Sequence, residues 1–434
     1  MIQRLLKGSI DWVDARLPVV DAFKTHMSEY YAPKNFNFWY YFGVLSMIVL
    51  VNQLVTGIWL TMFYSPTDAF ASVEYIMRDV QFGWLIRYMH AVGASAFFAV
   101  VYLHMFRGLM YGSYKPPREL VWICGMLIYL ALMAEGFLGY VLPWGNMSYW
   151  GAQVIISLAE AIPFQVIPFV DGDKAAAMGE ALTTWVRGDY LLSDATVNKF
   201  FALHVVAIPL VLVALVVLHI LALHEVGSNN PDGVEIKETL DENGIPKDGI
   251  PFHPYYTVKD LVGVVIFLMV FALVVFFFPD MGGYFLEKPN FEPANPLVTP
   301  DHIAPVWYYG PYYAMLRATT FSFIFNAKTW GMIIMGGGIA VLFVLPWLDR
   351  HPVKSIRYKG LFSKITLWLF AIFFLALGYL GTQPADNSFL GLSFTTWAQI
   401  GTFYYFIYFL VFLPFGHRFE KSKPVPTRVT GGKA

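Results

Sequence analysis

Eight long apolar stretches alternate with more polar connections along the chain. They run over about residues 39–63, 85–110, 120–142, 200–223, 261–278, 330–348, 365–380 and 397–415. The only charged residues inside them are Arg87, Arg107 and Glu135. A helix of about 20 apolar residues crosses a bilayer, and a helix satisfies its own backbone hydrogen bonds where lipid offers none. The pattern therefore predicts an all-α integral membrane protein with eight transmembrane helices.

Positive charge is distributed unevenly among the connections. Counting Arg107 with its end of the second stretch, 21 of the 29 Lys and Arg residues lie in the termini and in the second, fourth and sixth connections. Cytoplasmic segments carry such an excess, so both termini are expected in the cytoplasm. The long connections 143–199 and 279–329 then face the periplasm, and loops of this length are often functional. The connection 226–260 is interpreted as a solvated turn, particularly over 241–249.

Composition agrees with a membrane location and excludes several kinds of site. Hydrophobic residues make up 57% of the 434 and charged residues 14%, against about 25% charged residues in soluble domains. Cys124 is the only cysteine, which excludes an internal disulfide, a Cys-ligated iron–sulfur cluster and a Cys-x-x-Cys-His haem attachment within this chain. The N-terminus has no apolar signal-peptide core and is expected to stay on the mature protein. The net charge of −1 gives no indication of a nucleic-acid partner.

Four histidines lie inside the second and fourth stretches. His90 and His104 are 14 residues apart, and His204 and His219 are 15 apart. At about 100° per residue, each pair lies on one face of its helix with its members roughly 21 Å apart along the axis. This spacing predicts two stacked haems, each held by one histidine from each helix. The alternative is that the histidines form polar core contacts or a proton relay.

Glycines and arginines repeat the same intervals. Four glycines are spaced 14 apart in pairs, Gly43 and Gly57 in the first stretch and Gly125 and Gly139 in the third. A flat macrocycle wedged among helices needs neighbours without a Cβ, although small residues also pack membrane helices generally. Arg87 precedes His90 by three residues and Arg107 follows His104 by three, which places them to meet haem propionates. Snorkelling to the interface is compatible with that role.

These residues resemble cytochrome b of the mitochondrial and bacterial cytochrome bc complexes, over about 30–415. The resemblance rests on Gly-Trp-Leu-Ile-Arg-Tyr-Met-His (83–90), Gly-Tyr-Val-Leu-Pro-Trp-Gly (139–145), Tyr-Trp-Gly-Ala (149–152) and Asn-Pro-Leu-Val-Thr-Pro (295–300). One photosynthetic branch splits the protein into two chains and attaches a haem through a cysteine near the first helix. This chain is continuous and has no cysteine there, so it is identified with the unsplit, proteobacterial type of quinol:cytochrome c oxidoreductase (respiratory complex III).

The resemblance implies two b haems and a division of the chain into functional segments. His90 and His204 would hold the low-potential haem near the periplasm, and His104 and His219 the high-potential haem near the cytoplasm. The implied segments are a cytoplasmic N-terminal segment (1–38), a haem-binding four-helix bundle (39–225), a cytoplasmic loop (226–260), a C-terminal four-helix region (261–415) and a cytoplasmic tail (416–434). The interval of 15 departs from the family's usual 14, and Pro209 permits a local bulge that absorbs the extra residue.

The quinol-oxidation site departs from the family at its proton acceptor. Relatives usually carry Pro-Glu-Trp-Tyr in the loop 279–329, whereas this chain has Val306 in place of the glutamate. Quinol oxidation releases protons, so another acid must accept them; Glu287 is ranked first, ahead of Asp301 and Glu135, with a solvated loop acid as its alternative. The implied pocket also includes Phe137, Tyr140, Gly151, Pro305, Trp307, Tyr308 and Tyr313.

A second quinone site is implied on the cytoplasmic side, at His224, Ser228, Lys259 and Asp260. A histidine and a Lys–Asp pair near water suit the relay of the two protons that quinone reduction requires. The implied partners are a Rieske-type iron–sulfur subunit, a membrane-anchored c-type cytochrome and a second copy in a two-fold dimer, all in a bacterial inner membrane. Two other interpretations are a proton transporter and the di-haem membrane anchor of a dehydrogenase; the second would need neither the long loop 279–329 nor the last four helices.

Overall fold

The computed structural model describes residues 2–168 and 170–430, and helices dominate it. Eight apolar helices follow the eight predicted stretches. They are α1 (Phe38–Thr61), α2 (Gly83–Tyr111), α3 (Glu119–Val141), α4 (Asp194–Val226), α5 (Phe252–Phe277), α6 (Ala327–Phe343), α7 (Leu361–Gly381) and α8 (Phe394–Phe419). Seven of the eight are long and apolar enough to cross a membrane, which makes the chain an integral membrane protein.

The helix α6 is the exception and is shorter than the predicted segment 330–348. It has 17 residues and ends at Phe343, and a separate turn of helix spans Leu345–Leu348. Pro346 lies in that turn, and a proline cannot donate the backbone hydrogen bond that would continue a regular helix. Eight crossings therefore stay a prediction, whereas seven helices have the required length.

The helix α4 contains the bulge that Pro209 predicts. Residues Leu203–Ala207 form a π-helical segment, and the α-helix Ile208–Val226 follows with Pro209 near its start. A π turn holds one more residue than an α turn, so it absorbs one residue within a continuous helix. The predicted bulge is confirmed, and it contains His204 itself.

Shorter elements occupy the connections. The α-helices of five or more residues among them are Ile2–Asp14, Val19–Phe23, Ala69–Arg78, Asn146–Ser157, Gly172–Arg187 and Gly310–Arg317. Antiparallel pairs form between the strands Tyr31–Pro33 and Gly249–Pro251 and between Ser388–Phe389 and Leu392–Ser393. The first pair fastens the N-terminal segment to the connection between α4 and α5.

That connection is only partly solvated, so its interpretation as a solvated turn is wrong for the buried Asn229, Asn230 and Asp232 in its first half and for Asp248 after the exposed turn. Residues 241–244 are exposed, but Asp248 is buried. The Asp248 carboxylate pairs with Lys34 Nζ at 2.9 Å and with Arg428 Nε at 2.6 Å. Burial of a charged group is tolerated where ionic partners of this kind replace water. Asp248 thus joins the N-terminal segment, the connection and the C-terminal tail.

Packing pairs α1 with α2 and α3 with α4, so the two histidine-bearing helices belong to different pairs. In the C-terminal part of the chain, the helix Gly310–Arg317 packs against α7 and α6. The two predicted periplasmic loops also meet, since Asn146 N donates to Glu292 O at 3.0 Å and Ala294 N to Trp144 O at 3.0 Å. These bonds hold the end of α3 beside residues 287–294.

Candidate functional site

The structure brings together the two histidines of each predicted pair. The His90 and His204 ring centres are 6.2 Å apart with an interplanar angle of 89°, and those of His104 and His219 are 6.4 Å apart at 62°. Each pair joins α2 to α4. No group of three or more His, Cys, Asp or Glu side chains positioned for a metal occurs in the described ranges.

These separations fit an iron held between two imidazoles. Metal–imidazole bonds of about 2.0 Å, with each ring nitrogen roughly 1.1 Å from its ring centre, place the two centres about 6.2 Å apart. A haem with two axial histidines has this arrangement, with the macrocycle supplying the other ligands. The two ring pairs therefore fit two b-type haems.

The four repeated glycines admit the histidine rings. A Cβ built on Gly57 would lie 3.2 Å from His90 Cε1, and one on Gly139 would lie 2.5 Å from His204 Cε1. The other two repeat this relation: Gly43 faces His104 at 3.5 Å and Gly125 faces His219 at 3.3 Å. Helix α1 thus backs the α2 histidines, and α3 backs the α4 histidines. The sequence led us to expect the edge of a macrocycle beside each glycine. In the structure the imidazole ring fills that space.

Two arginines lie beside the ring pairs, as a group with acidic propionates requires. Arg107 has a buried Nε that lacks a hydrogen-bond partner among the described residues, and its guanidinium lies 4.9 Å from the Tyr40 ring centre. The Tyr40 hydroxyl is likewise buried and unpartnered there. Arg87 lines the cavity beside His90. Unsatisfied buried donors of this kind suit an anionic group.

An apolar cavity extends from the His90–His204 pair to the loops predicted to face the periplasm. Its wall includes Tyr140 from α3 and Glu287, Asn290, Val306 and Tyr308 from the loop between α5 and α6. The Tyr140 hydroxyl donates to Glu287 Oε2, and Asn290 Nδ2 donates to the Tyr140 hydroxyl at 3.1 Å. Burial raises the pKa of Glu287 to about 7. The cavity therefore combines a largely apolar space with an acid able to exchange protons near neutral pH.

The other residues predicted for this site fall into three groups. Glu135 lines the same cavity, whereas Gly151 does not line it and lies behind Tyr140, where an added Cβ would be 3.6 Å from the Tyr140 ring. Trp307 lies one layer behind, donating to Ser95 Oγ at 3.1 Å. The cavity wall over the described residues does not include Pro305, Phe137, which packs on Phe200, or Tyr313, which donates to Ile303 O at 3.2 Å. Asp301 is exposed.

Three of the four residues predicted for the cytoplasmic site, His224, Ser228 and Lys259, contact the N-terminal segment. The Tyr30 ring stacks on His224 with centres 4.3 Å apart, and its hydroxyl lies 3.1 Å from Ser228 Oγ. Lys259 Nζ donates to Phe36 O at 3.0 Å, and Asp260 is the next residue. His224 and Ser228 thus lie at one end of the segment 30–36, and Lys259 lies at its other end.

Several residues that contact the candidate site residues were not identified from the sequence. Tyr30 and His26 both reach His224, with His26 Nδ1 at 3.2 Å from His224 Nδ1, and Thr56 Oγ1 lies 2.9 Å from His90 Nδ1. Asn290 bridges Tyr140 and Glu287. Thr56 precedes Gly57, which was a detectable signal; the others depend on contacts between distant segments.

Comparison with known proteins identifies relatives over nearly the whole chain. The family models described as "Cytochrome b/b6/petB" and "Cytochrome b(C-terminal)/b6/petD" match residues 27–227 and 293–406. A cytochrome b of Allochromatium vinosum is 56% identical over 97% of this chain and 98% of its own length. A cytochrome b/c1 of Bradyrhizobium diazoefficiens is 43% identical over 98% of this chain and 58% of its own length.

A solved structure agrees with these relatives. A chain of a hyperthermophilic respiratory complex III superposes with a TM-score of 0.82 at 38% identity, covering 95% of this chain and 99% of that chain. The match indicates a subunit of a multisubunit respiratory complex and argues against both the transporter and the dehydrogenase-anchor interpretations. The chain belongs to the cytochrome b family of the bc-type respiratory complex III.

Proposed function

We propose that this chain is the di-haem subunit that oxidises quinol at a periplasmic site with electron bifurcation and reduces quinone at a cytoplasmic site, coupled to proton translocation. The observation that carries the proposal is the pair of facing imidazoles repeated at two levels between α2 and α4. Two such levels, with a cavity beside one and with His224 five residues beyond His219 at the other, fit two quinone sites joined by an electron path.

His90 and His204 would hold the low-potential haem, and His104 and His219 the high-potential haem. When bound, the haems supply one-electron carriers within the bilayer. The glycines of α1 and α3 leave room for the ring positions, and Arg87 and Arg107 would bind the propionates. The bundle 39–225 is accordingly the haem-binding part, followed by the cytoplasmic loop 226–260, the helices 261–415 with the quinol-site loop, and the tail 416–434.

The cavity at Tyr140 and Glu287 is the proposed quinol-oxidation site. Its apolar wall suits a planar quinone ring, and Glu287 is placed to accept a quinol proton. A base with a pKa near 7 suits this task because both its protonation states are accessible at working pH. The Tyr140 and Asn290 contacts fix the carboxylate in the cavity, so Glu287 fills the role that Val306 cannot perform.

The cytoplasmic quinone-reduction site is proposed at His224, Ser228, Lys259 and Asp260. Imidazole and carboxyl groups near the helix ends relay protons from water to a reduced quinone. Tyr30 occupies the space between His224 and Ser228 in this structure. Quinone binding there would require the Tyr30 ring to move or to stack on the quinone.

The remaining assembly follows from the electron balance. A quinol gives up two electrons, and the haems that the four histidines would hold would supply an acceptor for one of them. A Rieske-type iron–sulfur subunit would accept the other and pass it to a membrane-anchored c-type cytochrome; the relative named cytochrome b/c1 is longer than this chain, which covers 58% of it. A two-fold dimer of the complex in the bacterial inner membrane, with both termini cytoplasmic, completes the proposal.

A rescue experiment tests the quinol site. Quinol:cytochrome c reductase activity is measured in membranes carrying Glu287→Gln, and the substitution is expected to lower turnover by about 10²–10⁴-fold, the range typical of a lost general base. Val306→Glu added to the same chain restores a carboxylate in the same cavity and is expected to recover most of the rate. Full activity of Glu287→Gln would contradict the role of Glu287, and Asp301→Asn serves as the control at an exposed acid.

A further inference from the structure

Glu135 on α3 contacts a proposed haem ligand. Its Oε1 lies 3.0 Å from His204 Nδ1, and its backbone oxygen lies 3.1 Å from the same atom. Both side chains are largely buried. The second carboxylate oxygen, Oε2, is buried without a hydrogen-bond partner among the described residues. A carboxylate inside a membrane helix is costly and is retained where it has a function.

The contact has no counterpart at the other three histidines. His90 Nδ1 meets Thr56 Oγ1 at 2.9 Å and His104 Nδ1 meets an Arg107 nitrogen at 3.3 Å. His219 Nδ1 has no side-chain partner in the part of the chain that the structure describes. The difference at His219 follows from the sequence, because the position 14 residues before Glu135 on α3 is Val121.

The 14-residue repeat on α3 makes this a matched comparison. Gly139 and Gly125 face His204 and His219 in the same way, and Glu135 and Val121 each lie four residues before their glycine. The same helix thus places a carboxylate beside one ring, whereas the equivalent position in the repeat, four residues before Gly125, is the apolar residue Val121. The two proposed haem sites therefore differ at this position, which is Glu135 at one site and Val121 at the other.

We propose that Glu135 is a positioning residue that orients His204 and lowers the midpoint potential of the haem held by His90 and His204. The inference rests on the proposed haem ligation by these histidines. A carboxylate that accepts the Nδ1 proton of a ligating histidine fixes its tautomer and makes the ring a stronger donor to the metal. Stronger donation and a nearby negative charge both favour the oxidised, more positive iron.

The charges around Glu135 support this direction of the effect. Arg87 and Glu287 line the same cavity, but Glu287 is engaged by Tyr140 and Asn290. The Glu135 carboxylate is the acid in direct contact with the ligand ring. Its substitution is therefore expected to act on the haem held by His90 and His204 and to leave the haem held by His104 and His219 unchanged.

The test is a potentiometric titration of the purified, fully assembled complex with and without Glu135→Gln. Glutamine keeps the shape and an acceptor oxygen but removes the negative charge. We expect the ratio of oxidised to reduced haem at the low-potential site to fall about tenfold at a fixed potential, which corresponds to a rise of about 59 mV in its midpoint potential. The high-potential haem should keep its potential, and Glu119→Gln, at the start of the same helix, is the matched control.

A second measurement separates ring orientation from charge. Glu135→Ala removes the side-chain acceptor altogether, and the low-spin EPR signal of the oxidised low-potential haem is expected to move further from wild type in this variant than in Glu135→Gln. Two b haems with unchanged potentials and unchanged EPR signals in both variants would overturn the inference while the haem ligation stands. Absence of b haem from the unsubstituted complex would instead refute the proposed function itself.

Discussion

Substituting Gly139 by alanine is the sharpest steric test of the haem bundle. The added Cβ would lie 2.5 Å from His204 Cε1 and 3.0 Å from both ring nitrogens. Carbon atoms in ordinary contact are about 3.5–4.0 Å apart, so the imidazole must retreat by about 1 Å or the helices must separate. A metal–ligand distance departs from its standard value by no more than about 0.2 Å. Gly139→Ala is therefore expected to displace His204 from its iron.

The same geometry ranks the four glycines. Alanine at Gly57 or Gly125 would approach a ring carbon to 3.2 or 3.3 Å, and alanine at Gly43 to 3.5 Å, which is an ordinary contact. Overpacking of a filled site costs about 1–3 kcal/mol, equivalent to about a 5- to 160-fold loss of haem affinity. Gly139→Ala belongs at the upper end of this range, Gly43→Ala has little effect, and the other two lie between.

Haem content and spectra of the purified complexes measure this order. Gly139→Ala and Gly57→Ala should deplete the low-potential haem, whereas Gly125→Ala should affect the high-potential one. Gly43→Ala is the control, because it makes the same chemical change without a clash. Full retention of both haems with wild-type spectra in Gly139→Ala would refute the steric argument, as would equal damage from Gly43→Ala.

Further predictions concern the loops and the cytoplasmic face. Quinol oxidation should rise as pH increases through about 7, because a carboxylate must be ionised to accept a proton and burial raises the pKa of Glu287 to that range; a stopped-flow pH profile of Glu287→Gln should lose this limb. Asp248→Asn should free the C-terminal tail, since Arg428 and Lys34 hold the pKa of Asp248 well below its usual range and pair with its charge. Limited proteolysis should then cut the tail faster than in wild type, with the exposed-turn substitution Asp241→Asn as control. His224→Ala should slow reoxidation of the high-potential haem by quinone, and an unchanged rate would remove His224 from the cytoplasmic site.

The sequence predicted the parts of the site that depend on helical periodicity. Because a helix advances about 100° per residue, intervals of 14 and 15 were enough to place each histidine pair on one face of its helix, and the family resemblance paired His90 with His204 and His104 with His219, as the ring positions show. Pro209 similarly marked the π segment in α4, since a proline must interrupt the backbone bonding pattern. These relations lie within single helices and survive any uncertainty about tertiary packing.

Contacts between distant segments could not be predicted in the same way. Tyr140 and Glu287 are 147 residues apart and meet because the loops after α3 and α5 are joined at Asn146 and Ala294. Asp248 was assigned to solvent because its partners Lys34 and Arg428 lie near opposite ends of the chain. The early end of α6 depends on a local break at Val344 that hydropathy does not reveal.

A dithionite-minus-oxidised visible spectrum of the purified complex, with pyridine haemochrome quantification and a His104→Asn variant beside it, tests the central claim most directly. The account predicts two b haems per chain and selective loss of the high-potential one in the variant, because His104 and His219 form a separate pair from His90 and His204. Absence of b haem from the assembled complex, or retention of both haems in His104→Asn, would contradict it.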